Sequence, residues 1–258
     1  MSAEKFDPFV SEWVSFSKNS KHNLIEKSLK LAQILEYPDL NIPKYIEKIN
    51  EIGNSLKLKI KYVKNSTYLI SMLNEHVFEK YGFQGDDEDY YDPRNNFLNA
   101  VIDKKTGIPI TLSIIYSEVA KYIGLDLKIV GFPGHVVVKY EEEMIIDPFY
   151  SGRLLTINDL EEILYRNFGD DVEFLTSSIF NFNELPISFI FSTYFDIFRS
   201  GYSKICASLR DFSIKLYFEF FEKEIHSETN GSNFSADNEL NVILFYLDIF
   251  VDFLILLC

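Results

Sequence analysis

Two polar side chains in the stretch GFPGHVVVKYEEEMIIDPF, residues 131–149, have types that could do acid–base chemistry together. His135 begins one apolar run and Asp147 ends the next. A carboxylate that holds an imidazole in one tautomer is the orienting half of a catalytic triad. If the runs form a hairpin centred on Glu141, His135 faces Asp147 directly, with Cβ atoms about 5 Å apart. A hairpin centred on Glu142 is the other register.

The same pair also fits a purely structural role. His135 can simply end a strand, and Asp147 can cap the turn that begins at the proline after it. One His–Asp pair does not choose between the two roles, so the elements that precede the hairpin carry the argument.

The segment GIPITLSIIYSEVAKYIGL precedes the hairpin and is apolar on nearly every side. Pro109 suits a first helical turn and Gly124 a helix stop, so the sequence predicts a buried helix over residues 107–123. A buried helix followed by a His/Asp hairpin is the order in which a Cys–His–Asp enzyme is assembled. Its cysteine lies at the helix start, where the helix dipole lowers the thiol pKa.

Helical patterns dominate the rest of the chain. Apolar residues at helical spacing predict helices over residues 20–36, after Pro43 and near residues 67–80. A single further helix, RNNFLNAVID, is predicted after Pro93, which suits its first turn. Three β-branched or apolar runs after Asp126 predict a small antiparallel sheet, and a Thr156–Asp159 capping pattern predicts a further helix.

Several multi-residue motifs resemble one family. LAQILEYPDL, DYYDPRNNFLNAVIDKKTGIPITLSIIYSEVAKYIGL, GFPGHVVVKY and IIDPFYSGRLL are similar to the bacterial SirB family, whose core is transglutaminase-like. The resemblance implies an α+β fold with a papain-like cysteine-protease type core. It predicts a helical N-terminal region over residues 1–82 and the core over residues 83–170. Aromatic-rich helical segments after the core predict a helical C-terminal tail over residues 171–258. The tail lacks the TPR-like pattern that many relatives have.

The family comparison also shows where a nucleophile is missing. Transglutaminase-like cores have Gly-x-Cys at the start of the central helix, and the corresponding residues here end at Pro109, which has neither thiol nor hydroxyl. Ser113 lies on the same helical face but about 6 Å deeper, and Thr111 points about 160° away. A buried hydroxyl in a helix more often bonds the carbonyl four residues earlier.

Two functions remain open from the sequence. The favoured one is a non-catalytic module that binds a protein or peptide in the relict cleft. The alternative is an acyl hydrolase or transferase that uses Ser113 or Thr111 with His135 and Asp147.

The cleft is predicted to include the polar group DYYDPRN and one residue of the hairpin. The residues expected there are Tyr91, Asp92, Arg94, Asn95 and Gly134. Arg94 or Asn95 is expected to reach toward the hairpin, because turn polar groups beside a buried helix need hydrogen-bond partners. The alternative is a self-contained helix cap formed by Asp92 and the proline after it.

Composition excludes other classes. A net charge of -14 opposes nucleic-acid binding, which needs clustered Lys and Arg. Cys206 and Cys258 make neither a disulfide framework nor a zinc site. The acidic run at residues 86–89 lacks EF-hand spacing. We therefore expect no metal and no cofactor.

The remaining histidines, His22, His76 and His226, are isolated in sequence, with no metal-ligand spacing around them. The chain start lacks the pattern of a secretory signal, which predicts a cytoplasmic location. In residues 240–258, Asp248 and Asp252 lie on one helical face, which favours a packed helix over a membrane anchor.

Overall fold

The computed structural model describes residues 15–16, 19–60, 65–132, 135–141 and 144–168. All of them belong to one compact unit, Met1–Ile187. No helix in these ranges is long and apolar enough to cross a membrane. The expectations that fall outside the described residues concern Gly134, Cys206, His226, Cys258, the tail over residues 171–258 and its membrane question at residues 240–258.

Three N-terminal helices form a layer, as predicted. They are α1 (Leu24–Leu35), α2 (Ile42–Lys59) and α3 (Ser66–Asn74), and a single π-helical turn, Glu75–Lys80, continues α3. An asparagine side chain caps each of the three helices by accepting a backbone N–H of its first turn. The leucines and isoleucines of α1, α2 and α3 that face inward are nearly all fully buried.

The segment between the helical layer and the central helix is more broken than predicted. The expected single helix RNNFLNAVID is a 3-10 turn, Pro93–Asn96, followed by α4 (Leu98–Lys104). Phe97 separates them because it is extended and buried, with its ring packed edge-on against Tyr37. Lys105 ends α4 in the left-handed conformation at φ 66°. Two short parallel strands, β1 (Gln84–Gly85) and β2 (Thr106–Gly107), lie on either side of this segment.

The predicted buried helix is confirmed as α5 (Pro109–Lys121), with Pro109 at its first position. It begins two residues later than expected because residues 106–107 pair with β1 instead. Nearly all of its side chains are buried. It packs against α2 on one side and against the sheet on the other, including the strand that begins with His135.

The sheet is an antiparallel meander in the order β3-β4-β5-β6. Its strands are β3 (Lys128–Phe132), β4 (His135–Tyr140), β5 (Met144–Asp147) and β6 (Arg153–Leu155), and α6 (Ile157–Phe168) follows. β6 was not predicted. The Thr156–Asp159 capping box before α6 is confirmed, since Thr156 N–H donates to the Asp159 carboxylate at 2.7 Å. Helices and sheet together make the fold α+β, as predicted.

The register of the β4–β5 hairpin corrects the Glu141-centred prediction. Val138 pairs with Ile146 and Tyr140 with Met144, whereas the prediction paired Val138 with Met144. The alternative register was the right one. A slip of two residues leaves every side chain on its expected face, because side chains alternate with a period of two.

Candidate functional site

His135 and Asp147 are in contact despite the changed register. His135 Nε2 lies 2.8 Å from Asp147 Oδ2, and the two side chains are 12% and 0% exposed. The register makes them diagonal neighbours, which long side chains can still bridge. With Nε2–H donating to the carboxylate, Nδ1 is the ring nitrogen left to accept a proton.

Asp147 also builds the turn that follows β5. Its Oδ1 accepts the backbone N–H of Phe149 at 3.0 Å and that of Tyr150 at 3.4 Å. Its carbonyl accepts the N–H of Gly152 at 2.8 Å. The catalytic-type and structural interpretations of Asp147 are therefore compatible, because one carboxylate orients the imidazole and closes the turn.

Four aromatic side chains form a chain of ring contacts that begins at the imidazole, and we call them the aromatic shelf: Tyr90, Tyr91, Phe149 and Tyr150. The centroid of the Phe149 ring is 6.3 Å from that of His135, 5.1 Å from Tyr150 and 5.9 Å from Tyr90. Tyr91 packs edge-on against Tyr90 at 5.3 Å. Tyr91 is 83% exposed and Tyr150 46%. Partial burial raises the pKa of the Tyr90 phenol, and the neighbouring phenols add to this shift.

The start of α5 offers no free nucleophile at its first turn. Pro109 is buried there, and the Thr111 hydroxyl accepts the Ile108 N–H at 3.1 Å. The same hydroxyl lies 3.1 Å from the Asn95 and Ile108 carbonyl oxygens, to which it can donate. Ser113 is fully buried, and its Oγ has no hydrogen-bond partner among the described residues, including the carbonyl expected for it.

Asp92 forms the helix cap that was the alternative interpretation of DYYDPRN. Its carboxylate accepts the backbone N–H of Arg94 at 2.9 Å and the Arg94 Nε–H at 2.8 Å, and it pairs with Lys104 at 2.8 Å. The Arg94 guanidinium holds the pKa of the Asp92 carboxyl well below its usual range. The Arg94 side chain therefore binds Asp92, rather than reaching toward the hairpin as expected.

Asn95 links the acidic run to the central helix. It is fully buried, and its Nδ2 donates to Asp86 Oδ2 at 3.0 Å and to the Asp89 carbonyl at 2.9 Å. Its own carbonyl accepts from Thr111. Asn95 therefore positions other elements, and a contact with a ligand stays a prediction for it and for Tyr91. Within the described ranges, no group of three His, Cys, Asp or Glu side chains could hold a metal ion.

Sequence reasoning missed a pair of hydrogen bonds that links α3 and α5 to the turn after β5, and we call this pair the brace. Tyr116 OH donates to Asn74 Oδ1 at 2.6 Å, and Asn74 Nδ2 donates to the Gly152 carbonyl at 2.8 Å. Gly85 lets β1 approach the same turn, because a Cβ there would lie 2.7 Å from the Phe149 carbonyl oxygen. No local pattern signals these contacts, although the aromatic residues of the shelf all lie within motifs that the sequence singled out.

A buried helix packed on an antiparallel sheet that carries a His–Asp pair is the arrangement expected of a transglutaminase-like core. The family model described as Transglutaminase-like superfamily matches residues 43–182. The chain belongs to this superfamily.

Curated relatives come from bacteria and from animals. The chain is 34% identical over 140 residues to a UPF0162 protein of Xylella fastidiosa strain 9a5c, which is 53% of this chain and 50% of that protein. It is 27% identical over 150 residues to F-box only protein 21 of Homo sapiens, which is 52% of this chain and 24% of that protein. The chain thus spans about half the length of the UPF0162 relative. No solved structure matches it.

Proposed function

We propose that the chain is a non-catalytic member of the superfamily, of the SirB type, that binds a protein or peptide partner. The binding surface is the aromatic shelf together with the His135–Asp147 pair. The observation that carries the proposal is Pro109 at the first position of α5, where the resemblance predicts the nucleophilic cysteine.

The contacts of the nearby hydroxyl support the absence of catalysis. Thr111 is buried and already bonded to the Ile108 N–H and to carbonyl oxygens, so using it as a nucleophile would break the helix start. The His135–Asp147 pair has a sufficient structural reason to persist, because Asp147 also closes the turn of the shelf.

Exposed tyrosines support binding. Tyr91 and Tyr150 keep much of their ring surface in water while the rings beside them hold them in place. Tyrosine is enriched at the centre of protein interfaces because a rigid ring buries a large area for little lost entropy.

Acyl transfer is the second candidate, and the unpaired Ser113 Oγ is the observation that favours it. In that reaction His135 would be the base and Asp147 its orienting group. The buried position of Ser113 and its depth below Pro109 weigh against it.

A hydroxyl-reactive acyl probe separates the two functions. Intact-protein mass spectrometry measures covalent labelling of wild type, Thr111→Ala, Ser113→Ala and His135→Ala. We expect no labelling of any of them. Labelling of wild type that disappears in one hydroxyl variant and in His135→Ala would establish an active enzyme instead.

Affinity capture tests binding. The wild-type chain and its Tyr150→Ala variant are compared as baits in cytoplasmic extract, because the sequence predicts a cytoplasmic location. Tyr68→Ala is the matched control, since Tyr68 is an exposed tyrosine of α3 that does not belong to the shelf. We expect Tyr150→Ala alone to lose a captured protein. Equal capture by all three would contradict binding at the shelf.

A further inference from the structure

The aromatic shelf adjoins a loop of four acidic residues, Asp86–Asp89, which we call the acidic loop. Its backbone is held in place: Asp86 N–H donates to the Gly107 carbonyl at 3.0 Å, and Asp86 Oδ1 accepts the Asp89 N–H at 3.1 Å. The buried Asn95 amide fastens it from below. These hydrogen bonds therefore fix the conformation of the acidic loop, which follows β1.

Three carboxylates of the acidic loop remain open to solvent. Asp87, Glu88 and Asp89 are exposed and form no ion pair with any described residue. The nearby cations Arg94 and Lys104 both form ion pairs with Asp92, and Arg94 also interacts electrostatically with Asp89 over a longer distance. The acidic loop therefore lacks a neutralising ion pair within the described residues, in a protein whose net charge is already -14.

Tyr90 and Tyr91 come directly after the acidic loop and belong to the aromatic shelf. The highly exposed Tyr91 ring is steadied edge-on by Tyr90, which in turn packs on Phe149. The face of a tyrosine ring is electronegative and attracts a cation, and a guanidinium stacks on it more readily than an ammonium does. Carboxylates beside such a ring can bind the same guanidinium by paired hydrogen bonds.

We propose that the partner presents a basic, arginine-bearing protein segment to this surface. One arginine stacks on Tyr91, and its neighbours pair with the carboxylates of Asp87, Glu88 and Asp89. This inference rests on the proposed binding function and adds the chemical class of the partner. An acidic segment is repelled by the same carboxylates, and a nucleic-acid backbone is repelled for the same reason.

The test is a titration of the whole 258-residue chain against short fluorescein-labelled peptides, with binding measured by fluorescence anisotropy. The panel contains alternating arginine–glycine, lysine–glycine, glutamine–glycine and glutamate–glycine peptides, and a single-stranded oligonucleotide. The variants are Tyr91→Ala and the triple change Asp87→Asn, Glu88→Gln and Asp89→Asn. The matched controls are Tyr68→Ala, and Glu47→Gln with Glu51→Gln on the exposed face of α2. Circular dichroism checks that every variant is folded.

We expect the arginine peptide to bind best and the lysine peptide more weakly. Tyr91→Ala should weaken the arginine complex by about tenfold, and added salt should weaken it further. The triple variant should weaken it at least as much, whereas the controls should match wild type.

Three results would overturn the proposal: no binding of the arginine peptide, equal binding of the glutamine peptide, or Tyr91-dependent binding of the oligonucleotide. These results differ from a failure of the proposed function. A captured partner that depends on Tyr150 but binds equally well without basic residues leaves the binding function intact and removes only the basic specificity.

Discussion

His135 and His76 are both sheltered histidines with a side-chain oxygen at hydrogen-bond distance, but their surroundings differ. His135 begins β4 beside exposed aromatic rings and contacts the Asp147 carboxylate. His76 lies in the π-helical turn, is 1% exposed, and has its Nε2 2.8 Å from Ser55 Oγ and 3.1 Å from the Ile52 carbonyl.

The comparison shows that a hydrogen-bond contact to a histidine does not by itself make a catalytic site. A hydroxyl beside an imidazole resembles a nucleophile–base pair, yet Ser55 Oγ also lies within bonding distance of the Ile52 carbonyl and the Tyr81 hydroxyl. Among the described residues, no carboxylate bonds His76 to orient it, and its Nδ1 has no hydrogen-bond partner. The His76 region is a polar contact inside a helical layer, whereas the His135 region opens onto the aromatic shelf.

The largest expected effect is at Asp147. Asp147→Ala should lower the free energy of unfolding by about 3 kcal/mol, because it removes the acceptor of the turn and the partner of His135 together. Urea unfolding measures it. Asp147→Asn is the control, because its amide oxygen can still accept the turn N–H groups and should lose less. An alanine variant as stable as wild type would mean that Asp147 does not hold the turn.

A smaller loss is expected at Asn74, which precedes the His76 turn and reaches the other region through Gly152. Asn74→Ala should cost about 2 kcal/mol, because the buried Tyr116 hydroxyl and the Gly152 carbonyl lose their partner.

A double-mutant cycle then tests whether the two regions are independent. Asn74→Ala and Asp147→Ala should be non-additive, because the Asp147 side chain holds the turn whose Gly152 carbonyl accepts the Asn74 amide. Strict additivity would show that the brace does not couple them.

Ser55 should matter less. Ser55→Ala should lower the free energy of unfolding by about 1 kcal/mol, because His76 and Tyr81 lose one shared hydrogen-bond partner. Ser71→Ala on the exposed side of α3 is the matched control and should change stability by less than about 0.5 kcal/mol. A loss at Ser55 as large as that at Asp147 would remove the contrast between the two regions.

The smallest expected effect is the contribution of His76 to the pH dependence of the free energy of unfolding. Burial lowers the pKa of His76 below its ordinary 6.5, nearby Lys80 and Lys59 add to the shift, and the Ile52 carbonyl and Glu75 oppose it. Between the two pKa values the unfolded state binds a proton that the folded state does not. The contribution is therefore fully present above about pH 6.5 and is lost as the pH falls toward the folded pKa.

Urea unfolding between neutral and mildly acidic pH measures this slope. His76→Gln should remove its part of the slope, whereas His22→Gln, a change at a half-exposed histidine, should retain it. Identical slopes in wild type and His76→Gln would show that His76 does not titrate differently on unfolding.

Short-range patterns predicted much of the architecture. The all-round apolarity of α5, with Pro109 at its start, indicated a buried helix, and the Thr156–Asp159 spacing indicated a cap. These features depend on residues within a turn or two of each other. The α5 helix is two residues shorter than predicted at each end: it starts later because residues 106–107 pair with β1, which is distant in sequence, and it ends at Lys121.

Sequence by itself determined which face of the hairpin carries His135 and Asp147, because the alternation of side chains is unchanged by a slip of two residues. It also determined that Pro109 offers no nucleophile. Tertiary structure alone decided the register, the division of the predicted helix at Phe97, the Ser55–His76 contact and the assembly of the aromatic shelf. Each of these joins residues whose separation along the chain leaves no periodic signal, so only the packing of one element against another brings them together.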